Sequence, residues 1–172
     1  MTFETKHLII RKHEYKDFDR FWEMMTDPIA KKYTGGITRL SYDQRLQLFK
    51  EDCDMAFSDE WAEFAIADKE NDQYMGYCGF RWSEELDENE LFYGFRQDSW
   101  GCGYGYEAAE AVLRYLFSNF KHNKYAATTY AENAASARIL CKLGFRITKQ
   151  LIIDNNMADY YIINRENYIS IN

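Results

Sequence analysis

Three glycines at alternate positions, Gly101, Gly103 and Gly105, stand between a strand-like segment ending at Phe95 and a long amphipathic run from Tyr104 to Phe120. Glycine lets the backbone turn sharply and approach a ligand closely. The unpaired N–H groups and positive dipole end of the helix that follows make an anion site. The segment therefore predicts a phosphate or pyrophosphate over Gly101 to Tyr106, with a plain structural turn as the alternative. It is not a dinucleotide fingerprint, because Tyr106 stands where the last glycine of G-x-G-x-x-G belongs. It is not a P-loop either, since no G-K-[ST] follows.

The surrounding periodicity gives a single mixed α/β domain over residues 1–172. Leu8-Ile9-Ile10-Arg11 is a short strand, and Phe18, Phe21, Trp22 and Met25 recur at helical spacing until Asp27-Pro28 stops them. Ser41 and Gln44 form a capping box that opens a second helix. Three strands then make an antiparallel meander: Phe64 to Ala67, Tyr74 to Trp82 and Glu90 to Phe95, with an acidic turn from Ser83 to Asn89. The helix from Tyr104 leads to a strand at Tyr125 to Tyr130 and a helix from Ala134 to Leu143 that ends on Gly144. Phe145 to Ile153 and Tyr160 to Asn164 close the chain as strands joined by a turn around Asp154-Asn155-Asn156.

The formal net charge of -7, with no basic stripe, argues against a nucleic-acid partner and for a cationic one. No run approaches the roughly 20 apolar residues that cross a bilayer, so no membrane partner is expected. Cys53, Cys78, Cys102 and Cys141 lack C-x-x-C spacing and read as reduced thiols in a cytoplasm. The three histidines form no zinc-type cluster, and no metal is expected.

Trp100-Gly101-Cys102-Gly103-Tyr104-Gly105-Tyr106-Glu107-Ala108 resembles the coenzyme A loop of the GNAT acetyltransferases, in the W-G-x-G-Y-[AG]-x-E-A form typical of the branch that acetylates ribosomal-protein N-termini. Asn133 to Phe145 is similar to the family's N-x-x-S-x-x-[VIL]-x-x-x-L-G-F block. Leu8 to Arg11, Asp27-Pro28 and Tyr74 to Gly79 match earlier blocks in order. The resemblance covers almost the whole chain. It implies the GNAT fold: a mostly antiparallel sheet of about seven strands, splayed between the fourth (ending at Phe95) and the fifth (Tyr125 to Tyr130), with about four helices.

The resemblance also implies acetyl-CoA as cosubstrate, no metal, and direct transfer to an amine by a cytoplasmic monomer or homodimer. The acceptor is a protein N-terminal amine or a small amine such as a polyamine or aminoglycoside. Gly101, Cys102, Gly103, Tyr104, Gly105 and Tyr106 would hold the pyrophosphate through their backbone, and an N–H near Phe95 would meet the acetyl carbonyl. Asn133 would contact the coenzyme or cap its own helix. Many family members carry a tyrosine at the position of Leu140; its loss leaves Ser136 as the candidate acid at the sulfur. Glu90 is the candidate base, through water, or part of a solvated acidic run. Tyr33, Trp61, Trp82, Tyr93 and Tyr160 would line an acceptor pocket or serve as core. Two rival readings are a non-catalytic acyl-CoA-binding module and a nucleotide-binding oxidoreductase, the latter weakened by the failed fingerprint.

Overall fold

The computed structural model describes residues 2–171, with side chains to residue 168. Its strands are Thr2–Glu4 (β1), Leu8–Arg11 (β2), Trp61–Asp68 (β3), Tyr74–Ser83 (β4), Glu88–Phe95 (β5), Lys124–Tyr130 (β6), Arg146–Ile153 (β7) and Asn156–Asn164 (β8). Its helices are Phe18–Thr26 (α1), Tyr42–Asp54 (α2), Tyr104–Asn119 (α3), Ala134–Lys142 (α4) and Arg165–Ile171 (α5). One sheet runs β1-β2-β3-β4-β5-β6-β8-β7, antiparallel at every step except β5 to β6.

Two apolar layers flank that sheet. On one face α3 and α4 cover Leu8, Ile10, Phe64, Phe80 and Tyr125, and α3 contributes Ala108, Val112, Leu113 and Leu116 to the seam. On the other, α1 and α2 bring Phe18, Phe21 and Phe49 onto Ala65 and Tyr74. β3 is enclosed on both sides, which is why Phe64 to Ala67 is an unbroken apolar run.

The helix boundaries follow local chemistry. Ser41 Oγ accepts the N–H of Gln44 at 3.3 Å while Gln44 Oε1 accepts the N–H of Ser41 at 3.0 Å, the reciprocal pair the sequence predicts. Asn133 Oδ1 accepts the N–H of Ser136 at 3.2 Å and starts α4, and Gly144 at φ +92° ends it. The C-terminus of α3 is closed from a distance: the Arg165 guanidinium donates to the carbonyls of Phe117, Phe120 and His122.

Among the described residues, eight strands and five helices stand where about seven and about four are expected. The additions are β1, three residues long, and α5, seven residues long at the end of the described chain. β8 also starts four residues earlier than Tyr160. Asp154 and Asn155 take positive φ, 50° and 62°, making a tight two-residue hairpin that pairs Asn156-Met157-Ala158-Asp159 despite their weak strand propensity.

Candidate functional site

The sheet opens where expected, between β5 and β6. β5 stays paired to β4 from Ser83↔Glu88 to Gly76↔Phe95, and β6 stays paired to β8 along its whole length. Between β5 and β6 only Glu90↔Ala126 is in register. Past that point the strands diverge. The Arg96 N–H donates to the Met75 carbonyl at 2.9 Å, which fixes the alternation: the polar backbone of Phe92 and Gly94 turns to β4, and that of Tyr93 and Phe95 turns into the gap.

The alternate-glycine loop joins the end of β5 to the start of α3. Gly101 (φ 77°) and Gly103 (φ 84°) are left-handed, and Gly103 precedes the first residue of α3. Among the described residues, the N–H groups of Gly101 to Tyr106 meet no protein acceptor, and Gly103 offers α3 no side-chain cap. Gly105 serves a different need. It lies inside α3, where a Cβ would stand 3.1 Å from Ile139 Cδ1, so its small size lets α3 and α4 approach. The Cys102 side chain is exposed and its Sγ faces the Trp100 carbonyl. Tyr104 and Tyr106 are half-buried, and Lys142 Nζ sits 3.7 Å from the Tyr106 ring centroid. Trp100 folds back so that its indole N–H donates to the Phe95 carbonyl at 3.0 Å. That contact commits one of the two polar groups of Phe95 facing the gap.

Inside the gap is a cavity of ≈ 320 Å³ whose walls include Glu90, Tyr93, Asn133, Ser136 and Leu140. It reaches both faces of the sheet. On the α1/α2 side, Glu90 is 7% exposed, so it is no member of a solvated run. Its Oε1 accepts the Thr128 hydroxyl at 2.6 Å, and its Oε2 accepts Arg81 Nη2 at 3.1 Å. Arg81 is its cross-strand partner on β4. Glu88, likewise buried, pairs with Lys124. On the α3/α4 side, Tyr93 Oη lies 2.8 Å from Ser136 Oγ. Burial pushes the Tyr93 phenol above its ordinary pKa, and the Ser136 hydrogen bond opposes that rise.

The outer wall on the α1/α2 side comes from Tyr33 to Gly35, Tyr130 and Asp154, and a second hollow bordered by Glu132 continues it to solvent. Tyr130 Oη donates to Asp154 Oδ2 at 3.3 Å, and the Tyr33 and Tyr130 rings lie 6.3 Å apart. Of the aromatic candidates, Tyr33 and Tyr93 reach the cavity. Trp61 packs on Phe57, Trp82 is exposed, and Tyr160 lies beneath Lys149. Beside the cavity Lys31 is 4% exposed and donates to Tyr77 Oη at 3.3 Å. Burial pushes its ammonium down to about 8.

Sequence reasoning placed Glu90, Asn133 and Ser136 at one site and named Tyr93 as a pocket candidate, but it missed Arg81 and Thr128 and the bond from Tyr93 to Ser136. These contacts come only through strand register and packing, which no local pattern announces. Among the described residues there is no cluster of His, Cys, Asp and Glu suited to a metal and no helix long and apolar enough to cross a membrane.

A mixed sheet splayed between two strands, with a glycine loop of unpaired N–H groups after one of them, is the architecture of an α/β protein suited to an extended anionic ligand. The sequence matches the family described as acetyltransferase (GNAT) domain over residues 7–146, and the chain belongs to that family. It is 28% identical over 146 residues to the uncharacterized N-acetyltransferase p20 of Bacillus licheniformis, covering 84% of this chain and 82% of that protein. Its fold is similar to that of a GNAT-family acetyltransferase from Bacillus anthracis (TM-score 0.81, 24% identity, 96% of this chain and 99% of that one). It is also similar to a spermidine N-acetyltransferase from Vibrio cholerae solved with CoA and spermine (0.81, 14%, 96% and 99%). A ribosomal-protein-S5-alanine acetyltransferase from Vibrio fischeri aligns as well (0.76, 14%, 98% and 98%). At these identities the structural likenesses carry the fold alone.

Proposed function

We propose that this acetyltransferase moves the acetyl group of acetyl-CoA directly to a primary amine, and that the gap between β5 and β6 is where it does so. The observation that carries the reading is the cavity in the gap between β5 and β6, where the unpaired edge of β5 meets Glu90 and Ser136; the free N–H groups of Gly101 to Tyr106 lie just beyond the end of β5 in the chain. The donor fits what the chain offers. The N–H groups of Gly101 to Tyr106 receive the pyrophosphate. The inward backbone of Tyr93 and the remaining N–H of Phe95 pair with an extended amide arm. Asn133 uses Oδ1 to cap α4 and keeps its amide N–H₂ for the same arm.

Acetyl-CoA supplies an acyl carbon already activated as a thioester. Glu90, entering from the α1/α2 side, takes the amine's proton directly or through one water. Ser136, entering from the α3/α4 side, offers its hydroxyl to the departing sulfur. The acceptor enters past Tyr33, Tyr130 and Asp154. Along that route the carboxylates Glu90, Glu132 and Asp154 outnumber the cations Arg81 and Lys32, which favours a cationic acceptor. Both a small polyamine-like amine and a protein α-amine, with an ordinary pKa near ~8, meet that description. The W-G-x-G-Y form of the loop supports the protein N-terminus.

A second reading, a non-catalytic acyl-CoA binder, draws on Leu140, which is 1% exposed where many relatives carry a tyrosine. Calorimetric titration with acetyl-CoA, with NAD as control, followed by thiol release over a panel of polyamines, aminoglycosides and peptide N-termini, separates the readings. Binding with release supports transfer. Binding with no release on any amine favours the second reading, and no binding removes both.

A further inference from the structure

Ser136 sits in the first turn of α4, and its hydroxyl proton has two places to go: back to Tyr93 or forward into the cavity. Only the forward direction helps a sulfur leave. The geometry points to Tyr93 as the residue that decides this, and we propose that it is a positioning residue for Ser136. It donates its phenol hydrogen to Ser136 Oγ so that the serine's own hydrogen faces the reacting thioester. The proposal rests on the acetyl-transfer reading above and adds to it a residue from β5.

Three points support it. The Oη–Oγ distance is 2.8 Å, a well-formed hydroxyl–hydroxyl hydrogen bond. The same Oη lies 3.4 Å from the Ser136 carbonyl oxygen, a longer contact that competes for the single phenol hydrogen, and the 2.8 Å approach to Oγ is the stronger of the two. A phenol is also a more acidic O–H than an alcohol, which makes Tyr93 the better donor of the two. Finally, Leu140 lies one helical turn beyond Ser136 in the same cavity wall, so α4 provides no hydroxyl of its own there. Tyr93 supplies from the neighbouring strand what the helix lacks.

Burial keeps the phenol protonated through the physiological range, so the donor does not switch off with pH. For the same reason Tyr93 is not the final proton source, since a buried phenolate would be costly. The balance of the step is simple. A C–N bond forms as the C–S bond breaks, and the electron pair leaves on sulfur. The Ser136 O–H stabilises that charge by hydrogen bonding. The amine proton goes to Glu90 and then to solvent, and the released thiolate takes its proton from solvent.

The test is a double-mutant cycle with Tyr93→Phe, Ser136→Ala and the two combined. Each is assayed for thiol release from acetyl-CoA with the best amine of the panel, or for acetyl-CoA hydrolysis if no amine is turned over. Ser136→Ala is expected to lose roughly 10- to 100-fold in kcat, as for a hydrogen bond to a charged group. Tyr93→Phe is expected to lose roughly tenfold, with KM for acetyl-CoA unchanged and the double variant no slower than Ser136→Ala. If Tyr93 merely packs β5 against α4, its loss will slow the Ser136→Ala enzyme further and raise KM, and the proposal falls. Full activity in Tyr93→Phe overturns it too. Calorimetry on the wild type keeps the two levels apart, because failure to bind acetyl-CoA defeats the transfer reading itself.

Discussion

The two sides of the gap are built to different standards. On the α3/α4 side every candidate group hangs on a regular element: Tyr93 on β5, Asn133 and Ser136 at the capped start of α4, and the loop pinned by Trp100 to the Phe95 carbonyl. On the α1/α2 side the cavity wall is mostly connection. Gly35 and Gly36 carry positive φ in the link between α1 and α2, and Asp154 sits at the tip of the β7–β8 hairpin. Rigid elements hold a constellation more closely than loops do, whereas loops change shape and sequence at little cost to the fold. A transferase with one fixed donor and an acceptor that differs between relatives is served by this division.

The largest effect should come from the residue that faces the acceptor while standing on a strand. Glu90→Gln preserves volume and can still accept from Thr128, but it cannot take a proton. We expect kcat for thiol release to fall about 100-fold, at the low end for a general base, with the acetyl-CoA dissociation constant unchanged. A parallel loss of coenzyme affinity in calorimetry would break the comparison, because the two sides would then not act separately.

Lys31 tests whether the acceptor side gives up stability. Its ammonium is buried without an ion pair among the described residues, and its pKa is pushed from 10.5 to about 8. The folded protein thus binds this proton more weakly than the unfolded chain. The penalty is fully present below pH 8 and is relieved as pH rises from about 8 towards 10.5. Lys31→Met should therefore stabilise the protein by about 2 kcal/mol at pH 7, with part of the gain offset by the lost bond to Tyr77. Thermal melts across pH should show that gain shrinking towards pH 10.5. A destabilised variant at pH 7 would mean that Lys31 holds the fold together.

Gly103→Ala probes the donor side. A Cβ at Gly103 meets nothing within 4 Å, so the substitution acts through its φ of +84° alone. The left-handed backbone costs an alanine about 1–2 kcal/mol. If the loop relaxes to avoid that strain, the N–H cluster disperses and acetyl-CoA should bind about tenfold more weakly. Unchanged affinity with a lowered melting temperature would place the pyrophosphate elsewhere.

How much of this was readable beforehand follows the same division. Local rules found the capping box at Ser41, the cap at Asn133, the Gly144 terminus and the glycine loop, because each depends on residues within a few positions. Glu90 was the hard case. Its neighbours Glu84, Glu85, Asp87 and Glu88 read as a solvated turn, yet Arg81, Thr128 and Lys124 come from other strands and bury Glu88 and Glu90 together. Tyr93 was legible as a pocket or core aromatic but not as a partner of Ser136, and Lys31 gave no signal. Their surroundings are set by tertiary packing, to which hydrophobic periodicity is blind.

The smallest effect is the one that chooses between acceptors. Asp154 is exposed at the hairpin tip and accepts from Tyr130 Oη at 3.3 Å. Its φ of 50° suits asparagine equally well, so Asp154→Asn removes a charge while leaving the turn intact. If the acidic mouth draws in a polycation, KM for spermidine should rise roughly two- to fivefold, and the difference should fade with added salt as exposed charges are screened. For a peptide acceptor with a single charged amine the change should be smaller, because fewer charges cross the mouth. An equal effect on both acceptors would show that the loop side reads shape, with charge contributing little to the choice.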